Sequence, residues 1–375
     1  MKQQTLLVRP HAPCPHTGEI VTAIHPSVIY ALDELSSTKG NQYGRIANDT
    51  RTALESVLMR LHNASWGIAT ASGSSAIFMV SLLLGAGDTL LHHHELYEGT
   101  GRIFHDVLTP FRVTAVCTDF TDERSLEHEV EELKPKLLWA ETPTNPSLRV
   151  LPIATLARIA HRNGAILVVD TTMCSGGIQQ PLSHGADIVV ESLTKLLNGH
   201  SDVIGGFIGT NNDAIGKRLR FLTQTTGPVL DPQQCFLVLR GMKTLTARIR
   251  AQQQTATVVS KWLRHHPAIC HVMVPGSAGR EEQQIVREQM RGKGTLVSFL
   301  LTNDRDPSAF AKKLKLICIS HSFGGVETVI QHPARMMNWE KTPALSPPSE
   351  QLFRLSLGLE HPDDIIADLK QALEQ

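Results

Sequence analysis

Ala165-Ile166-Leu167-Val168-Val169-Asp170 is an apolar, β-branched run that stops at an acid. A second run, Ala186-Asp187-Ile188-Val189-Val190-Glu191, follows and leads into Ser192-Leu193-Thr194-Lys195. Short continuous apolar runs of this kind read as fully buried strands of a parallel sheet. Asp170 then stands at the carboxyl end of one strand, and a hydroxyl-hydroxyl-lysine cluster stands beyond the next. Open α/β sheets bind their ligands at that edge. A desolvated lysine can condense with an aldehyde. An aspartate facing a pyridine nitrogen keeps that nitrogen protonated and makes the ring an electron sink. The Ser192 and Thr194 hydroxyls can hold a phosphate. Together these residues read as a pyridoxal-phosphate site. Taken singly they fit a surface lysine and a helix-capping aspartate better, since both residue types are common at strand ends.

Working outward, strands are expected over Gly67–Ala71, Asp88–Leu91, Val113–Thr118 and Lys136–Ala140, and helices over Thr52–His62 and Leu151–Asn163. Gly164 marks the end of the second helix as a C-cap glycine. The alternation of strands and helices predicts an α/β fold with a mostly parallel sheet and right-handed crossovers. Ser72-Gly73-Ser74-Ser75 lies between a strand and a helix beginning near Ser74. Backbone N–H groups at such a turn form a phosphate cradle, although tight α/β packing uses the same small residues. His92-His93-His94 follows a strand. Alternating strand side chains cannot all face one ion, so this triplet reads as a solvated loop with no metal. From Asp231 the pattern is helical. Beyond about Arg250 it mixes strands at Gly294–Leu301, Ile317–Ser320 and Phe353–Leu357 with helices at Pro307–Leu316 and from Pro362, an α+β pattern. The expected division is therefore an extended N-terminal arm over 1–50, a cofactor-binding α/β domain over 51–250 and a smaller α+β domain over 251–375.

Composition narrows the class. Lys+Arg and Asp+Glu are both 36, so the net charge is zero, and neither a nucleic-acid nor an anionic-membrane partner is expected. The apolar segments are much shorter than a bilayer span. The N-terminus lacks the apolar region of a signal peptide. Six scattered cysteines without a CxxC pair fit a reduced, cytoplasmic protein.

The longer wording narrows it further. Glu141-Thr142-Pro143-Thr144-Asn145-Pro146, Val169-Asp170-Thr171-Thr172, and Ser192-Leu193-Thr194-Lys195 with Gly199-His200-Ser201-Asp202 and Gly205-Gly206 resemble the Cys/Met-metabolism family of pyridoxal-phosphate enzymes. The likeness runs from about Gly18 to Asp368. It implies a seven-stranded fold-type I enzyme acting on an amino acid by trans-sulfuration chemistry. On this resemblance Lys195 carries pyridoxal 5'-phosphate and Asp170 faces its ring nitrogen. Tyr97 stacks on the ring and transfers protons, and Asn145 bonds the ring hydroxyl. Gly73, Ser74, Ser192 and Thr194 hold the phosphate. Tyr43 and Arg45 reach the phosphate of a neighbouring subunit, so a homo-oligomer, a dimer of dimers, is expected. An arginine's planar fork suits that task. Arg354 forks the substrate carboxylate, with Ser322 beside it and His321 toward the distal end of the substrate. A strand arginine such as Arg354 could also serve an internal ion pair. The family wording usually has proline at Asp49, methionine at Ser74, glycine at Glu98 and asparagine at Thr171. At His321 it has glutamate in γ-synthases and many γ-lyases, and tyrosine in bacterial β-lyases. A Thr-His pair is absent from Pro333-Ala334-Arg335-Met336-Met337-Asn338-Trp339. The expected activity is γ-elimination or γ-replacement on cystathionine or a homoserine ester. A β-lyase, suggested by Glu98, is the alternative. A specialised γ-replacement enzyme and a catalytically silent regulator of the same fold are the others.

Overall fold

The computed structural model describes residues 2–32, 34–35, 40–337 and 348–374. Its larger sheet joins Trp66–Thr70 (β1), Thr89–His93 (β2), Thr114–Thr118 (β3), Leu137–Glu141 (β4), Ile166–Asp170 (β5), Ile188–Ser192 (β6) and Gly206–Thr210 (β7). The order across this seven-stranded sheet is β1-β7-β6-β5-β4-β2-β3. β7 runs antiparallel to both neighbours, and the other pairings are parallel. Alternation along the strands divides the core. Leu137, Trp139, Val168 and Ile188 pack on one face, and Leu138, Ala140, Leu167 and Val169 on the other. With both faces covered, the strands are apolar throughout, which is why they were legible as runs.

A second, five-stranded sheet joins Ile269–Met273 (β8), Leu296–Leu301 (β9), Cys318–Ile319 (β10), Val329–Gln331 (β11) and Leu352–Ser356 (β12), in the order β10-β11-β12-β9-β8. The helix Leu245–Leu263 bridges the two sheets' cores. Leu245 and Ile249 pack into the first, while Ala256, Val259 and Leu263 pack into the second.

Several expectations need correction. The arm is not wholly extended: Gln3–Val8 is helical, with Leu6 and Leu7 buried. The helix expected from Thr52 starts at Asp49, because the Asn48 side chain accepts from the N–H groups of Thr50 and Arg51. An acid in the first turn suits the positive end of a helix, which accounts for Asp49. The cradle helix starts at Gly73 and is capped by Ser72. The helices Asp213–Thr226 and Arg280–Gln289, and the strands β8 and β11, were not read from the sequence. His92 and His93 are not a solvated loop. They complete β2 and are 0% and 1% exposed, facing opposite sides of the sheet. His92 Nε2 meets His105 Nε2 at 2.8 Å, and His93 Nδ1 accepts the Phe120 N–H at 3.1 Å. Burial pushes their pKa values down to about 4 and about 3, so both rings are neutral. His93, His94 and Asp119 converge to within 4.8 Å. However, the Phe120 N–H occupies His93 Nδ1, and Thr121 occupies Asp119 Oδ1.

Candidate active site

The carboxyl ends of the parallel strands form the floor of a cavity of about 360 Å³. β5 brings Asp170 there and β6 brings Ser192, while β4 adds Glu141, whose role the sequence reading left unassigned. Glu141 lies opposite Asp170 in the β4–β5 register. Both acids are buried, and burial is the first cause raising their pKa values, Asp170 to about 6 and Glu141 well above the ordinary carboxylate range. The Thr172 N–H donates to Asp170 Oδ1 at 2.9 Å and favours its charged form.

Lys195 sits in an irregular helical turn, Leu193–Leu197, at φ −94° and ψ −131°. Its ammonium donates to Ser322 Oγ at 2.8 Å and lies 4.9 Å from the centre of the Phe323 ring. Burial first, and the charge of Arg354 second, lower its pKa to about 8. Arg248 anchors this turn from below, donating to the carbonyls of Leu196 at 2.8 Å and Leu197 at 3.2 Å. Gly199, at φ +72°, makes room for that guanidinium: a Cβ there would lie 2.0 Å from Arg248 Nη1.

The turn before the helix that starts at Gly73 lies at the cavity wall. Ser72 Oγ accepts the Ser75 N–H at 3.0 Å, and Gly73 and Ser74 open the helix at the cavity wall. Ser192 packs against Gly73, where a Cβ would lie 3.1 Å from Ser192 Cβ. Thr194 also lines the cavity, and its Oγ1 accepts the Gly205 N–H at 3.1 Å. Tyr97 is 40% exposed and stands over the opening. Its N–H donates to Glu141 Oε2 at 2.7 Å. Burial and the nearby Glu98 raise its phenol pKa.

Arg354 on β12 is 3% exposed and reaches across from the second sheet. It donates to Asn145 Oδ1 at 2.7 Å and to Gln331 Oε1. Both acceptors are neutral, so they fix the guanidinium without cancelling its charge. Burial lowers its pKa to about 10, which still leaves it cationic. His321 lines the mouth of the cavity. Thr171 points elsewhere and accepts from Gln179 Nε2 at 3.3 Å. Met337 lines the cavity, while Asn338 and Trp339 lie outside the described residues.

The structure therefore brings together Lys195, Asp170, Tyr97, Asn145, Gly73, Ser74, Ser192, Thr194, Arg354, His321 and Ser322. Tyr43 and Arg45 are apart from this cavity. Arg45 donates to the Gln224 carbonyl, 5.5 Å from the Tyr43 ring. Sequence reasoning missed Glu141, Phe323 and Gln331. Glu141 ends an apolar run as Asp170 does, a signal that could have found it. Gln331 becomes a neighbour of Arg354 only through the β11–β12 register.

The family model for the Cys/Met metabolism PLP-dependent enzymes matches residues 4–374. The chain belongs to that family. It is 36% identical to cystathionine gamma-lyase of Bacillus subtilis, with all of both chains covered. It is also 36% identical to cystathionine beta-lyase of Lactococcus lactis subsp. cremoris, covering 96% of this chain and 95% of that protein. The crystal structure of cystathionine gamma synthase from Xanthomonas oryzae pv. oryzae in complex with cystathionine superposes with a TM-score of 0.94. It is 33% identical, over 100% of this chain and 98% of that one. Members of the family are PLP-dependent carbon–sulfur lyases and γ-synthases, and this enzyme is of that trans-sulfuration class. The donor set fits the cofactor: a desolvated amine for the aldehyde, an acid for the ring nitrogen and a capped helix N-terminus for the phosphate.

Proposed function

We propose that the enzyme catalyses γ-elimination or γ-replacement on cystathionine or a homoserine ester. The observation that carries this reading is the convergence of the Lys195 amine, Asp170 and the Arg354 guanidinium in one cavity. Lys195, Asp170, Ser72, Gly73, Ser74, Ser192 and Thr194 would hold pyridoxal phosphate, with Asn145 and Tyr97 against its ring. Bound there, the cofactor supplies a sink for negative charge developing at the substrate's α-carbon. Arg354 holds the substrate carboxylate by a two-point fork, for which Asn145 and Gln331 pre-orient it. Lys195 takes the α-proton. A pKa near 8 leaves part of the amine free at neutral pH. For γ-chemistry the same amine also removes a β-proton before the γ-substituent leaves, and Tyr97 donates a proton to the departing group. Relatives named as gamma-lyases support the γ assignment. Glu98 in the cavity wall favours a second reading, β-elimination, which releases the β-thiolate directly.

The subunit arrangement belongs to the same reading. Tyr43 and Arg45 would complete a neighbour's phosphate site, in a dimer and then a dimer of dimers. The exposed Val28, Ile29, Leu32 and Leu35 of the arm support a covered interface there. The division into an arm over 1–50, an α/β domain over 51–250 and an α+β domain over 251–375 is supported by the two sheets. Among the described residues no helix is long and apolar enough to cross a membrane, and six free cysteines support a reducing, cytoplasmic setting.

The keto acid released from cystathionine tests the assignment. 2-Oxobutyrate with cysteine is the expected product. Pyruvate with homocysteine would replace the γ reading by the β one, and no turnover of cystathionine or of any homoserine ester would refute both.

A further inference from the structure

We propose that Glu141 and Asp170 share a single proton carried by Glu141, and that neutral Glu141 is the positioning residue that leaves Asp170 ionised and holds Tyr97 by its main chain. The two acids end neighbouring parallel strands and stand opposite one another in the register. They are 2% and 5% exposed and line one cavity. Residues so paired project to the same side of a sheet, about 5 Å apart along the hydrogen-bonding direction. Two carboxyl groups in one dry site do not both ionise; their protons belong to the pair.

The surroundings choose the carrier. Asp170 receives the Thr172 N–H at 2.9 Å, a bond that favours a carboxylate. Its register partner on β6 is Val190, so Glu191, which meets His62 at 2.9 Å, projects to the other face of the sheet, from where its charge opposes the ionisation of Asp170. Lys195, a cation that favours an ionised acid, shares the cavity. Glu141 is the more deeply buried of the two. It faces the acids Asp170 and Glu95, the Tyr97 phenol and one cation, Arg354. The fork of Arg354 is turned to Asn145 and Gln331. Glu95 is itself held by the hydroxyls of Thr144, at 2.6 Å, and Ser147. A neutral Glu141 still accepts the Tyr97 N–H at 2.7 Å through its carbonyl oxygen. The pair thus gives two similar acids two tasks: Asp170 supplies charge, and Glu141 supplies shape and an acceptor. Asp170's task rests on the cofactor reading above, whereas the shared proton belongs to the cofactor-free protein as well.

Infrared difference spectroscopy of the cofactor-free protein at neutral pH, with H2O exchanged for D2O, provides the test. The parent should show the carbonyl stretch of a buried protonated carboxyl, and Glu141→Gln should lack it. Asp170→Asn should retain the band and lower the pH at which it titrates, because a neutral neighbour no longer opposes ionisation. An absent band in the parent, or a band lost in Asp170→Asn and kept in Glu141→Gln, overturns the proposal. A second readout is cofactor affinity. Glu141→Gln should bind at least about tenfold more tightly than Glu141→Ala, because only the amide keeps an acceptor for the Tyr97 N–H. Equal losses in the two variants would also overturn it. Borohydride fixation of the cofactor on the Lys195 peptide separately reports whether the cofactor reading itself holds.

Discussion

Lys195 shows what a desolvated amine does to the protein that carries it. Its pKa is about 8 in the fold against the ordinary lysine value of 10.5, with burial the main cause. Between those values the unfolded chain binds more protons than the native one, so this residue's contribution to stability rises with pH across that window. Below pH 8 its full unfavourable effect is present. Lys195→Met should therefore stabilise the cofactor-free protein by about 3 kcal/mol at pH 7, with the gain shrinking from pH 8 and gone above the unfolded value. Urea unfolding at pH 7 and pH 10 measures this. An equal or lower midpoint for the variant at pH 7 would show that the amine is better solvated than its surroundings indicate. Lys195 and Asp170 were legible in the sequence because each follows an apolar run, and such runs end at the ligand edge of a parallel sheet. Glu141 carried the same signal. Gln331 and Phe323 carried none, since their place beside Arg354 and Lys195 comes from contacts between distant segments.

Between residue and molecule, the site depends on how closely β7 and the cradle turn approach each other. Gly206 opens β7 beside Ser72, and a Cβ there would lie 2.3 Å from the Ser72 carbonyl oxygen and 2.6 Å from Thr70 Oγ1. The nearest of these is backbone and cannot swing aside. Gly206→Ala should therefore push the turn outward, costing about 1–3 kcal/mol of stability. It should also weaken cofactor binding, because the N–H groups of Gly73 and Ser74 move with the turn. Cofactor titration by fluorescence quenching, beside a thermal unfolding curve, checks both. Unchanged affinity would mean that the cradle does not bear on the phosphate. Elements buried on both faces, such as β4 and β5, were readable as continuous runs. β8 alternates poorly, with its Cys270 and His271 exposed at a sheet edge, and β11 is only three residues long. Neither gives a period that a sequence can display. The histidines of β2 misled because polar side chains can complete a buried strand when neighbouring groups satisfy them, as His105 and the Phe120 N–H do here.

At the scale of the molecule, the cavity is made where two sheets meet. The acids and Lys195 come from the first sheet's carboxyl edge, and Arg354 from the second. The helix Leu245–Leu263, packed into both cores, sets their separation. Its Arg248 holds the lysine turn, and its Gln252 donates to the Gly325 carbonyl at 2.7 Å, close to Ser322 and Phe323. What this chain does not bring to its own cavity is the pair Tyr43 and Arg45. If each subunit lends them to its neighbour, two inactive variants should complement each other. Lys195→Ala lacks the amine but can still lend Arg45. Arg45→Ala keeps the amine but lends no guanidinium. In a mixed dimer, the site on the Arg45→Ala subunit has its own Lys195 and receives Arg45 from its partner, while the other site is dead. Random reassortment of equal amounts should restore about a quarter of the parent's working sites, since half the dimers are mixed and half their sites are complete. Activity is measured after unfolding the two variants together and refolding them, against the same variants refolded apart. Recovery no greater than the average of the separate samples would place Arg45 outside the neighbour's site, leaving its bond to the Gln224 carbonyl as a contact within one subunit.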